Sequence, residues 1–223
     1  MQGGREVSET DSFIDEVTEE VRRDRLFRLM RRYGWIAVLA VLLLVGGAGW
    51  NEWRKAQDRE AAQALGDSIL AALEREPQNA RAEALTAIEA PNPGSRAVLA
   101  LLAASEEAAA APAQAAERLL ALAESGDVAP IYRQIATLKA VTIPESGLTD
   151  ADRRRRLDGL ALDSGLVGLL AREQLALLDA QAGDTEAAIG TLRQVSADSA
   201  ATAGLRRRAG QLIVALGGDP EVQ

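Results

Sequence analysis

The chain has 223 residues, a formal charge of −8, no Cys, no His, 44 Ala and 3% aromatic residues. Without His or Cys, thiol nucleophiles, imidazole acid–base chemistry, disulfides and nearly all zinc or haem sites are excluded, and no cofactor is expected. The acidic balance, 25 Lys+Arg against 33 Asp+Glu, argues against a nucleic-acid binder, and the wealth of Ala and Leu predicts an all-α protein.

Residues 1–33 read as a charged cytoplasmic leader. Ser12 ahead of Asp15 and Glu16 has the form of a helix N-cap, and Ile14, Val17 and Val21 recur at helical spacing. Asp15, Glu16, Glu19 and Glu20 fill the first turns, and Arg22, Arg23, Arg25, Arg28, Arg31 and Arg32 the last, in keeping with the helix dipole. Leu26, Phe27, Leu29 and Met30 place apolar surface among the arginines. Three roles fit this leader: lying on anionic headgroups, docking a partner, or only fixing topology.

From Gly34 to Trp50 the sequence GWIAVLAVLLLVGGAGW runs seventeen residues without a charge. As a helix it is roughly 25 Å long, near the short end for crossing a bilayer. Trp35 at one end, and Trp50 and Trp53 at the other, are placed like an interfacial aromatic belt. With no polar face and dense arginine beside it, the stretch 34–53 reads as a transmembrane helix rather than a buried core helix. Six arginines precede it and only Arg54, Lys55 and Arg59 follow closely, which predicts a cytoplasmic N-terminus and an exported, periplasmic remainder. Gly46 and Ala48 offer a small-x-small site for the rival reading, a cleaved signal peptide; the long leader with its acidic residues favours an uncleaved anchor. Gly46-Gly47-Ala48-Gly49 lies within the span, where close packing or local flexibility explains it better than phosphate binding.

Residues 54–223 predict short helices separated by punctuated turns. The first runs from about Arg54 to Glu76, with Ala61, Leu65, Ile69, Leu70 and Leu73 on its apolar side, and stops at Pro77. Asn79 is the expected cap of a second helix reaching Ala90, and Ser95 the opening of a third that carries Val98, Leu99, Leu101 and Leu102. Pro112 and Pro130 fit the first turns of a fourth and a fifth, the latter with Ile131, Ile135 and Leu138. Thr149 or Asp150 caps a short helix bearing Arg153 to Arg156, and further helices follow at about 166–182, 185–195 and 200–216.

Paired helices with short turns suggest an α-solenoid of helical hairpins. Gln181-Ala182-Gly183-Asp184 with Ala187-Ala188 and Leu192 matches Ala109 to Pro112 with Ala115-Ala116 and Leu120 at a spacing of 72. Two repeats of about 36 residues give that spacing, near the ~34 of tetratricopeptide repeats. Ala176 and Ala188 would let paired helices approach closely; the abundance of alanine is the competing explanation of the match. The region has 24 acidic and 18 basic residues and a single aromatic, Tyr132. That composition suits a surface for a peptide or folded partner better than a small-ligand pocket.

Carboxylate pairs such as Glu106-Glu107 and Asp184-Glu186 lack a neighbouring nucleophile or ligand set and read as solvated faces or caps, so no enzyme is expected. The runs Arg153–Arg156 and Arg206–Arg208 read as solvated helix faces paired with acids such as Asp150, Asp152 and Asp158, with contact to an acidic partner as the alternative.

The layout of Asp11-Ser12-Phe13-Ile14-Asp15-Glu16-Val17, Arg31-Arg32-Tyr33-Gly34-Trp35, one span, Trp50 and Trp53, then a helical-repeat domain resembles the YfgM-type tetratricopeptide-like proteins, in their alphaproteobacterial form. The resemblance implies an ancillary subunit of the SecYEG translocon in the bacterial inner membrane. It also implies a periplasmic domain that meets a membrane-anchored, prolyl-isomerase-like chaperone and hands on newly translocated proteins. The stretch Arg96–Gly126 departs from regular repeats. A scaffold or regulatory subunit of another envelope complex is the alternative. A homodimer is a further expectation, because terminal solenoid helices need capping.

Overall fold

The structure is a computed structural model that describes residues 7–219, with side chains for 31–36 and 38–219. Among the described residues the ordered elements are all helices: α1 (Val7–Leu73), α2 (Gln78–Ala87), α3 (Pro93–Glu107), α4 (Pro112–Glu124), α5 (Pro130–Thr142), α6 (Asp150–Ala161), α7 (Leu166–Ala182), α8 (Thr185–Ala197) and α9 (Ala203–Ala215). They form two compact units, Met1–Gln63 and Ala64–Gln223.

In the first unit α1 is already helical at Val7 and continues through Trp53, so Ser12 lies inside the helix and does not cap it. This is one helix long and apolar enough to cross a membrane, and none of its apolar window is buried. Leu44, for instance, is 73% exposed.

In the second unit the end of α1, from 64 to 73, shares an apolar cluster with α2 and α3; from α2 onward each helix packs on the next, while α3 also touches α5 and α5 touches α7. Contacts confined to near neighbours in sequence are the mark of a solenoid, and the expected all-α architecture of helical hairpins is present. The core is correspondingly divided into four local clusters. Ala72, Leu85, Leu99 and Ala103 make the first. Ala97, Ala115, Leu119 and Ala136 centre the second. Val141, Leu157 and Ala171 make the third, and Leu169, Ala188, Leu192 and Leu205 centre the last. Half of the buried apolar side chains are alanines.

Chain punctuation sets the helix starts, though two caps lie earlier than expected. Asn92 accepts a hydrogen bond from the Ser95 amide at 2.9 Å and Pro93 opens α3, so Ser95 is inside the helix. Asn79 is likewise inside α2, whose preceding residue is Pro77, and the helix stops at Ala87 because Ile88 turns to extended backbone. Thr149 caps α6 through the Asp152 amide at 3.1 Å. Thr202 caps α9 through that of Leu205 at 3.2 Å. Pro112 and Pro130 open α4 and α5 as expected.

The internal repeat survives with its register moved by one residue. Aligning α8 with α4 from their first residues pairs Ala188 with Ala115, Leu192 with Leu119 and Val195 with Leu122, all of them buried. Leu120, the expected partner of Leu192, is only partly buried. The matching spacing is therefore 73. A one-residue extension between helices leaves each helix face intact, whereas a slip within a helix turns its apolar side by about 100°.

One close approach fixes the α6–α7 turn. A Cβ added to Gly168 would lie 1.9 Å from the carbonyl oxygen of Asp163, and that turn is held by Asp163 Oδ1 accepting from the Gly165 amide at 2.6 Å. Gly168→Ala is expected to destabilise the domain by about 3 kcal/mol or more through overpacking against backbone. Gly159→Ala, where the added methyl meets nothing within 4 Å, should stabilise α6 by roughly 0.5–1 kcal/mol. Thermal melts of the two variants, followed by circular dichroism, measure both; similar melts would remove the steric account.

Candidate functional site

Two surfaces carry the candidate functional residues. The first is the exposed apolar length of α1. Trp35, Trp50 and Trp53 are exposed there, with the rings of Trp50 and Trp53 5.1 Å apart and tilted by 45°. The Arg54 guanidinium lies 5.9 Å from the Trp50 ring and that of Arg32 lies 5.9 Å from the Tyr33 ring, within cation–π range. Arg31 and Arg32 are exposed; the side chains of Arg22, Arg23, Arg25 and Arg28 lie outside the described residues.

The second surface is the helix layer of α3, α5, α7 and α9. Leu138, Lys139 and Thr142 from α5, Leu170, Glu173 and Gln174 from α7, and Arg208 from α9 line a hollow of about 210 Å³. At its base the Glu173 carboxylate is 2% exposed and meets Arg208 through both oxygens, from Nε at 2.5 Å and from a terminal nitrogen at 2.6 Å. That side-on pairing supplies the buried carboxylate with a matching charge and two donors. The same carboxylate holds the Arg208 guanidinium further toward its charged form.

The two arginine runs are in part the solvated faces expected of them, with Arg155 and Arg206 to Arg208 exposed, but several of these side chains also tie the fold together. Arg153 donates to the carbonyls of Val141, Ile143 and Leu148 at 2.7, 3.1 and 3.3 Å and to the Ser146 hydroxyl at 3.1 Å, so it satisfies the backbone at the end of α5 and in the loop beyond. Arg154 reaches Asp179 on α7 at 2.7 Å and Arg156 faces Glu124 on α4 at 4.0 Å, so their ion pairs are made to other helices, with Asp158 adding its charge near Arg154. Arg155 alone follows the local pattern, pairing with Asp152 at 2.5 Å. Hydrogen bonds from the Thr149 hydroxyl and from Arg155 hold the Asp152 carboxyl below the usual carboxylate range. In the second run Arg206 donates to the Ala201 carbonyl and Arg208 to Glu173. Glu106 and Glu107 also bridge helices, to Arg81 at 2.6 Å and to Arg118 at 2.7 Å.

Sequence reasoning passed over Glu173 and Lys139, and read Leu138 only as an apolar residue of its helix. A signal for Glu173 was present: with Leu169 and Ala176 it recurs at the three- and four-residue steps of a buried helix stripe. A carboxylate there demands a cation from another helix.

These features define a helical-repeat protein with an exposed apolar helix at its N-terminal end. The family described as a tetratricopeptide repeat-like domain matches residues 30–147, more than half of the chain, and the chain belongs to that family. The matched stretch includes the apolar segment together with α2 to α5. No curated protein and no solved structure gives a significant match. Tetratricopeptide-like repeat domains are typically non-enzymatic modules of protein–protein interaction.

Removing Arg208 strands the Glu173 carboxylate. Arg208→Ala is expected to cost about 1–3 kcal/mol, less than a fully buried pair because Arg208 is 51% exposed. Glu173→Gln in the same chain should recover part of that loss. Denaturant midpoints of the two single variants and the double variant give the coupling, and strictly additive midpoints would mean the pair does not hold α9 to α7.

Proposed function

We propose that this protein is an ancillary, non-enzymatic subunit of the Sec translocon, of the YfgM type. On this reading residues 1–33 stay in the cytoplasm and 34–53 anchor the chain in the inner membrane. Residues 54–223 then form a periplasmic domain that binds a chaperone or newly translocated proteins. The observation that carries the reading is an exposed apolar helix matched, within one family, to a tetratricopeptide-like solenoid. Arg22, Arg23, Arg25, Arg28, Arg31 and Arg32 would retain the leader in the cytoplasm, because arginine flanking a span resists translocation. Trp35, Trp50 and Trp53 would seat at the two interfaces.

The chain lacks cysteine, which makes topology directly readable. Ser199→Cys, an exposed turn residue, is expected to react with an impermeant maleimide added to spheroplasts, and Ser8→Cys only after lysis. The opposite labelling would reverse the orientation.

Mild in-cell crosslinking and purification from membranes test the partner. Enrichment of SecY, SecE, SecG or a membrane-anchored periplasmic chaperone is the expected outcome; recovery of a different envelope complex without them would replace the translocon by a scaffolding role elsewhere. Deleting residues 1–32, with a few arginines added to keep the topology, separates the two contact regions. Retained association assigns the contact to the repeat domain, and loss assigns it to the leader.

A further inference from the structure

The furrow between α5 and α7 has a chemistry of its own. Gln134 on α5 donates to Asp163, just ahead of α7, at 3.1 Å. Further along, Leu138 and Thr142 share one hollow with Leu170 and Gln174, so the two helices advance in the same direction. Toward the starts of the two helices apolar side chains are exposed: Ile131 on α5 at 48%, Leu166 on α7 at 41%, and Leu162, in the α6–α7 turn, at 88%. At the other end stand the three charges of the hollow. Glu173 and Arg208 satisfy each other, whereas Lys139 has no ion-pair partner among the described residues.

We propose that this furrow takes a segment of a partner protein in which an aliphatic side chain is followed closely by a carboxylate. The aliphatic group seats between Leu138 and Leu170, and the carboxylate meets Lys139. The hollow, at about 210 Å³, is smaller than the ~300–1,000 Å³ of small-molecule sites and matches a single side chain. Its walls are the apolar faces of two leucines and the stems of Lys139 and Arg208, so an aliphatic anchor gains contact without stranding a polar group. Charge supplies the selection. Residues 54–223 have 24 acidic and 18 basic residues, so the domain as a whole repels an acidic segment, and the unmatched Lys139 makes this furrow a local exception. A basic segment meets the reverse condition, since Glu173 is buried and already paired.

This inference rests on the reading of the domain as a protein-binding module, and holds whichever membrane complex the protein joins. The test uses full-length protein in detergent and a short fluorescein-labelled peptide carrying leucine followed by two glutamates, read by anisotropy. Saturable binding is expected, weakened about tenfold or more when leucine becomes serine or the glutamates become lysines, a loss of at least one well-formed contact. Lys139→Glu should invert the order of the glutamate and lysine peptides. Thr142→Trp, a change at an exposed rim position that fills the hollow without touching the core, should abolish binding while leaving the melting curve in place. No saturable binding, or a charge preference indifferent to Lys139→Glu, would overturn the proposal.

In-cell crosslinking with the same variants keeps the two readings apart. Translocon recovery that is unchanged by Thr142→Trp, with no peptide bound, removes the furrow and leaves the membrane partner. Peptide binding as expected, with no translocon recovered by the unaltered protein, does the reverse.

Discussion

Two helices can bring their backbones close only where both present small side chains, and alanine supplies that contact along the whole repeat domain. Ala97, Ala104, Ala115, Ala136, Ala140, Ala171, Ala176, Ala188 and Ala209 are all inaccessible to solvent. Each methyl contributes little hydrophobic stabilisation, at about 25 cal/mol per Å² of apolar surface buried. The leucines Leu85, Leu119, Leu157, Leu169, Leu192 and Leu205 are among the largest fully buried side chains. Alanine decides how near the helices come, and leucine decides how much they gain by being there. The single tyrosine of the domain, Tyr132, packs at the edge of its cluster and leaves this division intact.

Beside the local apolar clusters, arginine adds polar ties between helices. Arg81 ties α2 to α3, Arg118 ties α4 to α3, Arg154 ties α6 to α7 and Arg208 ties α9 to α7. The planar guanidinium suits the task, since it presents a fixed fork of donors and keeps its charge at every relevant pH. Where the partner is a backbone carbonyl, as for Arg153, the same fork closes the open end of a helix.

Most helices were legible because proline and glycine fix backbone geometry locally. Pro112 and Pro130 begin α4 and α5, and Gly183, at φ +94°, ends α7 in the left-handed conformation that glycine adopts without strain. Caps were less legible. Asn79 and Asn92 are chemically equal candidates, and only the path of the chain around Pro77 and Pro93 decides which side chain faces the free amides. The repeat was found at a spacing one residue short, because consecutive pairs such as Ala115-Ala116 and Leu119-Leu120 fit either register until burial separates them. The arginine runs and Glu173 were misread or missed for a common reason. An ion pair between helices depends on which faces meet, and that information lies 25 residues away for Arg154 and 35 for Arg208.

The placement of the aromatic residues has an optical consequence. All three tryptophans, Trp35, Trp50 and Trp53, lie on the exposed apolar length of α1, and none lies in the repeat domain, whose one aromatic chromophore is Tyr132. Indole emission from this protein is thus a report on the surroundings of α1, shifting with detergent, lipid or headgroup contact. The solenoid could unfold with little change in that signal, and a flat tryptophan trace on heating would describe α1 rather than the fold.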